Sequence, residues 1–345
     1  MNLMTKGLVA SFFLSSAALA SGEDAWMQLD NEIASLSSNV TAQSSGALSA
    51  TLVNYFNHSS DSDIAGWAFE AVRLNYKASF EDFSIKASTE LKSGTAAIRD
   101  AYAAWAATDD VTVTWGRFKR PFSYHNQLSV GKLAFSRFTI NAKNEDRDIG
   151  IKLTGSAKEG AVDWALAAQN GLDGVTEELR YTGRVAIDVA GEGAFHGHEG
   201  GISGREELDA SVGIAYAHDQ SETMGFHKVG IEGTATFGGF YLAADIVEYN
   251  ADDPGTVLDD TLGHDLDETT PYSLTGTYML KDDVELTARF EDFDDGLDTD
   301  RVTFGVNFYQ VLPHRAKWIL NYEDTSSDDP ANEDEVVRFG LTINT

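Results

Sequence analysis

From about Ala47 to the last residue, apolar and polar side chains alternate in short runs. Val302, Phe304, Val306 and Phe308 oppose Arg301, Thr303, Gly305 and Asn307. Ala316, Trp318, Leu320 and Tyr322 oppose Arg315, Lys317 and Asn321. Val337, Phe339, Leu341 and Ile343 oppose Arg338, Gly340, Thr342 and Asn344. A period of two sets one apolar row and one polar row on opposite faces of an extended strand. The pattern predicts 16 strands, near 47–56, 66–79, 82–92, 96–107, 111–119, 147–158, 161–171, 178–190, 207–218, 227–238, 239–250, 271–280, 283–293, 299–310, 314–323 and 335–344.

Alternation alone does not separate a barrel from a β-sandwich, since both bury one face of each strand. The gaps between runs do. With both termini on the periplasmic side, the inner connections are short: 79–82, 107–110, 158–160, 237–239, 280–283 and 310–313. The outer ones are mostly longer: 57–65, 120–146, 171–177, 219–226, 251–270, 293–298 and 324–334. That parity belongs to a bacterial outer-membrane barrel. Two gaps break it: the outer gap 93–95 is short, and the inner gap 191–206, GEGAFHGHEGGISGRE, is long. Aromatics fall near strand ends, at Trp67, Phe80, Trp105, Trp115, Phe240, Tyr249, Tyr272, Phe290, Tyr309 and Tyr322. Rings there suit the interfacial girdles of such a barrel. The expected fold is all-β: a 16-stranded antiparallel transmembrane β-barrel over 47–345, with short periplasmic turns and longer outer loops.

The run 111–119 closes on Arg117-Phe118-Lys119-Arg120-Pro121, because proline donates nothing to a ladder. About 25 residues pass before alternation resumes at Ile149. A loop of that length is usually functional or disordered. This one carries aromatics together with Lys132, Arg137 and Lys143, and Arg147 stands at its exit.

The succession DAYAAW, a turn, TVTWGRFKRPFS, a long loop and RDIGIKLTG resembles the phosphate-selective porin O/P family of bacterial outer membranes. The likeness extends into VGIEGTATFGGFYLAADIVEY (Val229 to Tyr249) and TFGVNFYQVLPHRAKWILNY (Thr303 to Tyr322), and covers most of the chain after about Ala68. It implies a porin for passive diffusion of small anions, phosphate among the candidates, assembled as a homotrimer. It also implies that the third outer loop, here 120–146, folds into the pore and narrows it. On that reading Arg117, Lys119, Arg120, Lys132, Arg137, Lys143 and Arg147 form the constriction and anion path. The family often begins with a short coiled coil. Within the periplasmic segment 21–46, Trp26, Leu29, Ile33 and Leu36 are spaced 3, 4, 3, as on one helical stripe; a linker is the alternative for 24–38. Two departures stand out. The family's ladder of arginines has no residue-by-residue match here. Outer-membrane barrels usually end in an aromatic residue, whereas this chain ends Leu341-Thr342-Ile343-Asn344-Thr345.

The N-terminus reads as an export signal over 1–20: Lys6, an apolar run from Leu8 to Leu19, and Ala18-Leu19-Ala20 as the cleavage site. The expected destination is the bacterial outer membrane, with lipid and lipopolysaccharide as partners. There is no cysteine, hence no disulfide or thiolate metal site. No later stretch is apolar for 18 residues, so no membrane-spanning helix is expected.

Charge is lopsided, with 25 Lys+Arg against 55 Asp+Glu, which argues against nucleic acid as a partner. The bases are not spread evenly. Between Arg73 and Lys158 there are 14 Lys+Arg and 9 Asp+Glu. Opposite the apolar rows, hence facing the lumen, lie Arg73, Lys77, Lys86, Lys92, Lys152, Arg180, Arg184, Lys228, Arg289, Arg301, Arg315, Lys317 and Arg338. The acids in those rows are Glu90, Asp163, Asp188, Asp209, Glu232, Asp245 and Glu285. An acidic chain thus carries a basic inner wall. The alternative is that these bases pair with acids and leave little net field, giving a general or weakly cation-selective porin. A secreted β-sandwich that binds glycans is the reading from another class. The acidic runs 252–253, 259–260, 265–268, 292–300 and 328–335 fall in outer loops. Divalent cations could bridge them to lipopolysaccharide, or they form a solvated face.

No catalytic motif is present, and neither an enzyme nor a cofactor is expected. His196-Gly197-His198-Glu199 offers three potential zinc or copper donors. The favoured reading is a glycine-rich turn with solvent-facing imidazoles, and no metal is assigned.

Overall fold

A computed structural model describes residues 45–60, 65–92, 96–143, 147–171, 178–201, 206–220, 225–251, 268–311 and 314–345. The expected signal 1–20, the stripe 24–38, the side chain of Lys143 and residues 252–267 lie outside the described residues.

Sixteen long strands follow one another among the described residues. They are β1 (Ser45–Ser59), β2 (Ala65–Phe80), β3 (Phe83–Glu90), β4 (Ala97–Ala106), β5 (Val111–Lys119), β6 (Arg147–Ala157), β7 (Val162–Asn170) and β8 (Leu179–Ala190). They continue as β9 (Asp209–Asp219), β10 (Phe226–Phe237), β11 (Phe240–Ala251), β12 (Tyr272–Lys281), β13 (Val284–Asp292), β14 (Asp300–Val311), β15 (Ala316–Ser326) and β16 (Asp334–Asn344). A two-residue strand, Glu268–Thr269, pairs with the end of β11. Each long strand pairs antiparallel with the next, and β16 returns to β1 with Val53 opposite Thr342 and Asn57 opposite Arg338. The sheet is therefore closed, and the β-sandwich reading is excluded. Closure pairs every strand with two neighbours and leaves no edge, the condition for a sheet in hydrocarbon. No described helix is long and apolar enough to cross a membrane.

The two rows of each strand are inverted relative to a water-soluble fold. Leu242 and Phe304 are more than half exposed, whereas Asn307, Lys317 and Asn321 keep none of their surface. Apolar side chains look out of the barrel and polar ones look in. Outward rings gather near the turns, with Phe80 stacked on Phe83, Phe83 on Trp105, and Phe240 against Tyr278. Two of the aromatics expected in the girdles are not there. Tyr249 and Tyr309 occupy inward rows and are buried. Tyr309 Oη donates to Glu285 at 2.6 Å, and the Tyr249 ring lies 5.1 Å from the Lys228 ammonium. Strand-end position alone did not distinguish the two faces.

Short connections join strands at the end that holds both described termini. Between β10 and β11 the turn is Gly238-Gly239, with φ of 54° and 87°. Two consecutive positive φ values make the tight hairpin that matches strand twist, and glycine adopts them without strain.

The barrel interior is filled on one side. After Arg120 the chain turns inward and forms α1 (Tyr124–Gln127), capped by Ser123, whose side chain accepts from Asn126 N. A 3-10 turn (Val130–Lys132) and α2 (Ile140–Lys143) follow. Tyr124, Leu128, Val130 and Leu133 pack with Val53, Tyr55, Ala71 and Ile319 of the wall. Phe122 packs with Ala215, Ala217, Val247 and Tyr249. Small wall residues make this room: a Cβ on Gly230 would stand 2.9 Å from the Phe122 ring.

Candidate functional site

The loop 120–143 is fastened to the wall by polar bonds as well as by its apolar core. Tyr124 N donates to Glu232, Ser136 N to Asn321 Oδ1, Ile140 N to Glu291 and Asn141 Nδ2 to Asp245. Asn307 Nδ2 donates to Ala134 O, and Lys317 Nζ to Leu133 O. These partners sit on β10, β11 and β13–β15. The loop therefore lies against that side of the barrel, its apolar core reaching Val53 and Tyr55 of β1 and Ala71 of β2 as well, and the rest of the wall is β3–β8.

The residues expected at the constriction fall into different places. Lys119 turns its ammonium onto Asn126 O and Leu128 O and steadies the loop entrance. Arg120 is buried, with Nη2 3.5 Å from Asp148. Arg137 reaches the facing wall, 2.5 Å from Glu291 and 2.7 Å from Glu323. Arg147 pairs with Asp100 at 2.5 Å. Lys132 is exposed. Arg117 stands opposite Ile149 and Ala101, on the strand row that also holds Trp115.

The wall residues divide in the same way. Arg73 pairs with Glu90 at 2.5 Å, Lys86 with Asp100 at 2.7 Å and Arg184 with Glu232 at 2.5 Å. Arg301 lies 4.0 Å from Glu291, and Arg338 also pairs with Glu323. Lys77 and Arg315 are exposed, and Lys152 is half-buried with its ammonium 5.0 Å from the Phe118 ring. Arg289 and Lys317 belong to the inner wall, but the inward loop covers them completely. They face the loop instead of water.

Two polar cavities border the loop among the described residues. One, of about 510 Å³, lies between Pro121 and Gln127 of the loop and a wall of Lys152, Thr154, Asp163, Trp164 and Arg184, with Asp109 and Asp110 at its edge. The other, of about 470 Å³, is bounded by Tyr55, Glu70, Arg137, Asp334 and Arg338. Both carry charges of both signs.

A second segment enters the lumen from the turn end. Residues 191–201, between β8 and β9, were expected to be a solvated glycine-rich turn; they fold inward and meet the loop. Phe195 stacks on Tyr124 with centroids 4.5 Å apart, and the Arg184 guanidinium lies 5.2 Å from the Phe195 ring. Tyr124 Oη accepts from Gly197 N at 3.0 Å and donates to His198 O at 2.8 Å. Burial pushes this phenol above its ordinary range, which keeps its proton available for that bond. Glu199 N donates to Lys132 O, and Gly201 N to Glu285. The Glu199 carboxylate accepts from Arg289 and from Ala134 N. It is thereby taken out of any metal set with His196 and His198, and no group of three described residues is arranged to hold a metal ion. The unusual length of this inner turn was the one sequence signal of the plug. Nothing in its residues announced the contacts.

No family model and no curated protein sequence matches the chain. Solved structures do. An anion-selective porin from Comamonas acidovorans superposes with a TM-score of 0.59 at 14% identity, over 88% of this chain and 100% of that one. A loop L8 deletion mutant of OmpT, an outer membrane protein of Vibrio cholerae, gives 0.61 at 11% identity, over 88% and 100%. The outer membrane channel DcaP of Acinetobacter baumannii gives 0.59 at 13%, over 88% and 98%. The chain has a porin fold. At these identities the likeness is one of fold, and what passes through the barrel has to be argued from its own lumen.

Proposed function

We propose that the chain is an outer-membrane porin that lets small solutes diffuse passively, with a modest preference for anions. The observation that carries this reading is the asymmetry of the lumen. The loop 120–143 covers the wall of β10, β11 and β13–β15, and the uncovered half is the basic stretch of the sequence. Arg73, Lys77, Lys86, Arg99, Lys119, Arg147, Lys152, Arg180 and Arg184 belong to it, against Glu90, Asp100, Asp148, Asp163 and Asp188. A narrow passage with low-dielectric walls focuses the field of such charges on passing ions. Export by the signal 1–20 and assembly as a homotrimer belong to the same proposal, as does the placing of the barrel among lipid and lipopolysaccharide. The structural likeness to porins supports all three.

Phosphate is the finer form of the proposal, favoured by the resemblance to the O/P porins. The pairing of Arg73, Arg137, Arg147 and Arg184 with carboxylates favours a general anion preference over a phosphate-specific ladder. The same pairing supports a second reading, a porin with weak or cation selectivity. Among the described residues no Ser–His pair faces outward on the strands, and a channel is favoured over an enzyme.

The test is the zero-current potential of single channels in a planar bilayer under a salt gradient. A potential of anion sign is expected. Cation sign would shift the function to the second reading, and failure of the folded barrel to conduct would overturn the channel itself.

A further inference from the structure

The plug segment carries an arrangement that the channel reading leaves unused. His196 and His198 come from the inward turn and His314 from the turn before β15. Their rings form a row, with centroids 6.3 Å apart from His196 to His198 and 5.1 Å from His198 to His314. His314 is 2% exposed. Its Nδ1 lies 3.0 Å from Lys317 Nζ. An ammonium can only donate, so Nδ1 is the acceptor and the ring carries its proton on Nε2. That nitrogen is buried without a hydrogen-bond partner, as are His196 Nε2 and His198 Nδ1.

The arrangement tolerates neutral rings and resists charged ones. A proton on His314 Nδ1 would point at the Lys317 ammonium. Lys132, whose carbonyl holds Glu199 N, lies close enough to act on both His198 and His314. Each ring would also repel the other. The Glu199 backbone favours the charged form of His198 and of His314, but less than burial and the cations oppose it, and the side chains packed around them do not offset this. Glu199 is bound by Arg289 and Ala134 N, with His125 3.9 Å away, and Glu285 accepts from Tyr309 Oη, Asn307 and Gly201 N. Among the described residues, neither carboxylate pairs with any of the three imidazoles. Tyr124 and Tyr309 are neutral phenols, Asn344 is uncharged, and Asp188 and Asp209 lie at the other end of the segment beside Gly193 and Glu192.

We propose that residues 191–201 are an acid-released plug, held in the lumen while His198 and His314 are neutral and expelled when they take up protons. Burial, followed by His196, Lys132 and Lys317, pulls His198 down to about 4. Burial, Lys317, His198 and Lys132 pull His314 well below its ordinary value. Both values lie below those of a freed turn, so the docked state binds fewer protons than the released one. Docking is at full strength above pH 6.5 and weakens as pH falls from there toward 4. His198 alone, moving between 6.5 and 4, lowers the docked-to-released ratio about 30-fold between pH 7.5 and pH 5.

The proposal rests on the channel reading, and two readouts keep the two apart. Single-channel conductance is compared at pH 7.5 and pH 5 for the wild type and for the double variant His198→Gln, His314→Gln. The wild type is expected to pass to a larger conductance at pH 5, and the double variant is expected to stay at one level. The second readout needs no ion flow. The chain has no cysteine, and Ala194 is fully buried in the plug whereas Gln127 is exposed. Ala194→Cys should react slowly with a water-soluble thiol reagent at pH 7.5, and its rate relative to Gln127→Cys should rise at least tenfold at pH 5. An unchanged labelling ratio overturns the plug, whether or not the barrel conducts. An acid response that persists in the double variant overturns the assignment to these histidines.

Discussion

Arg289 and Glu199 meet at 2.5 Å inside the barrel, one from strand β13 and the other from the inward turn, with side chains 1% and 0% exposed. Arg289 also donates to Arg137 O at 3.1 Å and stacks 4.0 Å from the Phe135 ring. One guanidinium thus joins the wall, the loop and the plug. Removing either charge strands the other in a dry setting, which costs about 3–5 kcal/mol. Arg289→Met and Glu199→Gln should each lower the urea midpoint of the barrel in lipid vesicles. The double variant should cost less than the two singles added, because the second change removes the stranded charge. Simple additivity would show that the two side chains are not coupled.

The seam where β16 closes on β1 depends on Gly340. A Cβ there would stand 2.0 Å from Asn54 O and 2.8 Å from Tyr55 Cα, both atoms of the neighbouring strand's backbone. Backbone cannot rotate aside as a side chain can. Gly340→Ala should therefore destabilise the closed barrel by roughly 1–3 kcal/mol, as overpacking does, and reduce the fraction that migrates fast on an unboiled gel. Gly233→Ala serves as the control, since its Cβ would come no nearer than 3.8 Å to another atom. Equal loss in both variants would mean that the seam is not special.

Much of this architecture is written in period two. The run 111–119 is found as Val111–Lys119, and 147–158 as Arg147–Ala157, because one face of the wall is outward and apolar and the other inward and polar over the full length of a strand. The same rule sets Arg117 on the row of Val111, Val113 and Trp115, and Lys119, next on that row, shows that a side chain at the strand end can still reach the loop. The pairing inside the lumen was beyond reach of local pattern. Arg137 finds Glu291 and Glu323 at separations of 154 and 186 residues. The plug contacts are equally remote, with Gly197 N meeting Tyr124 at a separation of 73 residues. Alternation reports which face a residue takes, and says nothing of what crosses the barrel to meet it.

Topology predicts which connections a protease reaches from outside a cell. β11 ends at Ala251 at the end opposite the described chain termini, and the sequence that follows, with Pro254-Gly255 and its aspartate pairs, is turn-forming and polar. Protease added to intact cells should cut first within 252–267 and spare Gly238-Gly239. Cutting at Gly238-Gly239 instead would mean that the barrel sits the other way up.

Charge reversal resolves which lumen bases meet passing ions. Lys132 is exposed on the loop, and Lys152 lines the cavity between the loop and β6–β8. Neither has a carboxylate on it among the described ion pairs. Arg137 is held by Glu291 and Glu323, and Lys317 is fully buried beneath Leu133 O. A charge acts on a permeating ion when it faces the water path without a counter-charge beside it. Lys132→Glu and Lys152→Glu should each move the reversal potential toward cations while conductance stays of the same order. Lys317→Met should leave the reversal potential in place. Arg137→Glu sets a third carboxylate against Glu291 and Glu323, so it should loosen the loop and give noisier, larger openings. If Lys132→Glu and Lys152→Glu both leave the potential of folded channels unchanged, the uncovered basic wall is not the selectivity site. If Lys317→Met moves it as much as they do, the loop does not seal that side of the lumen.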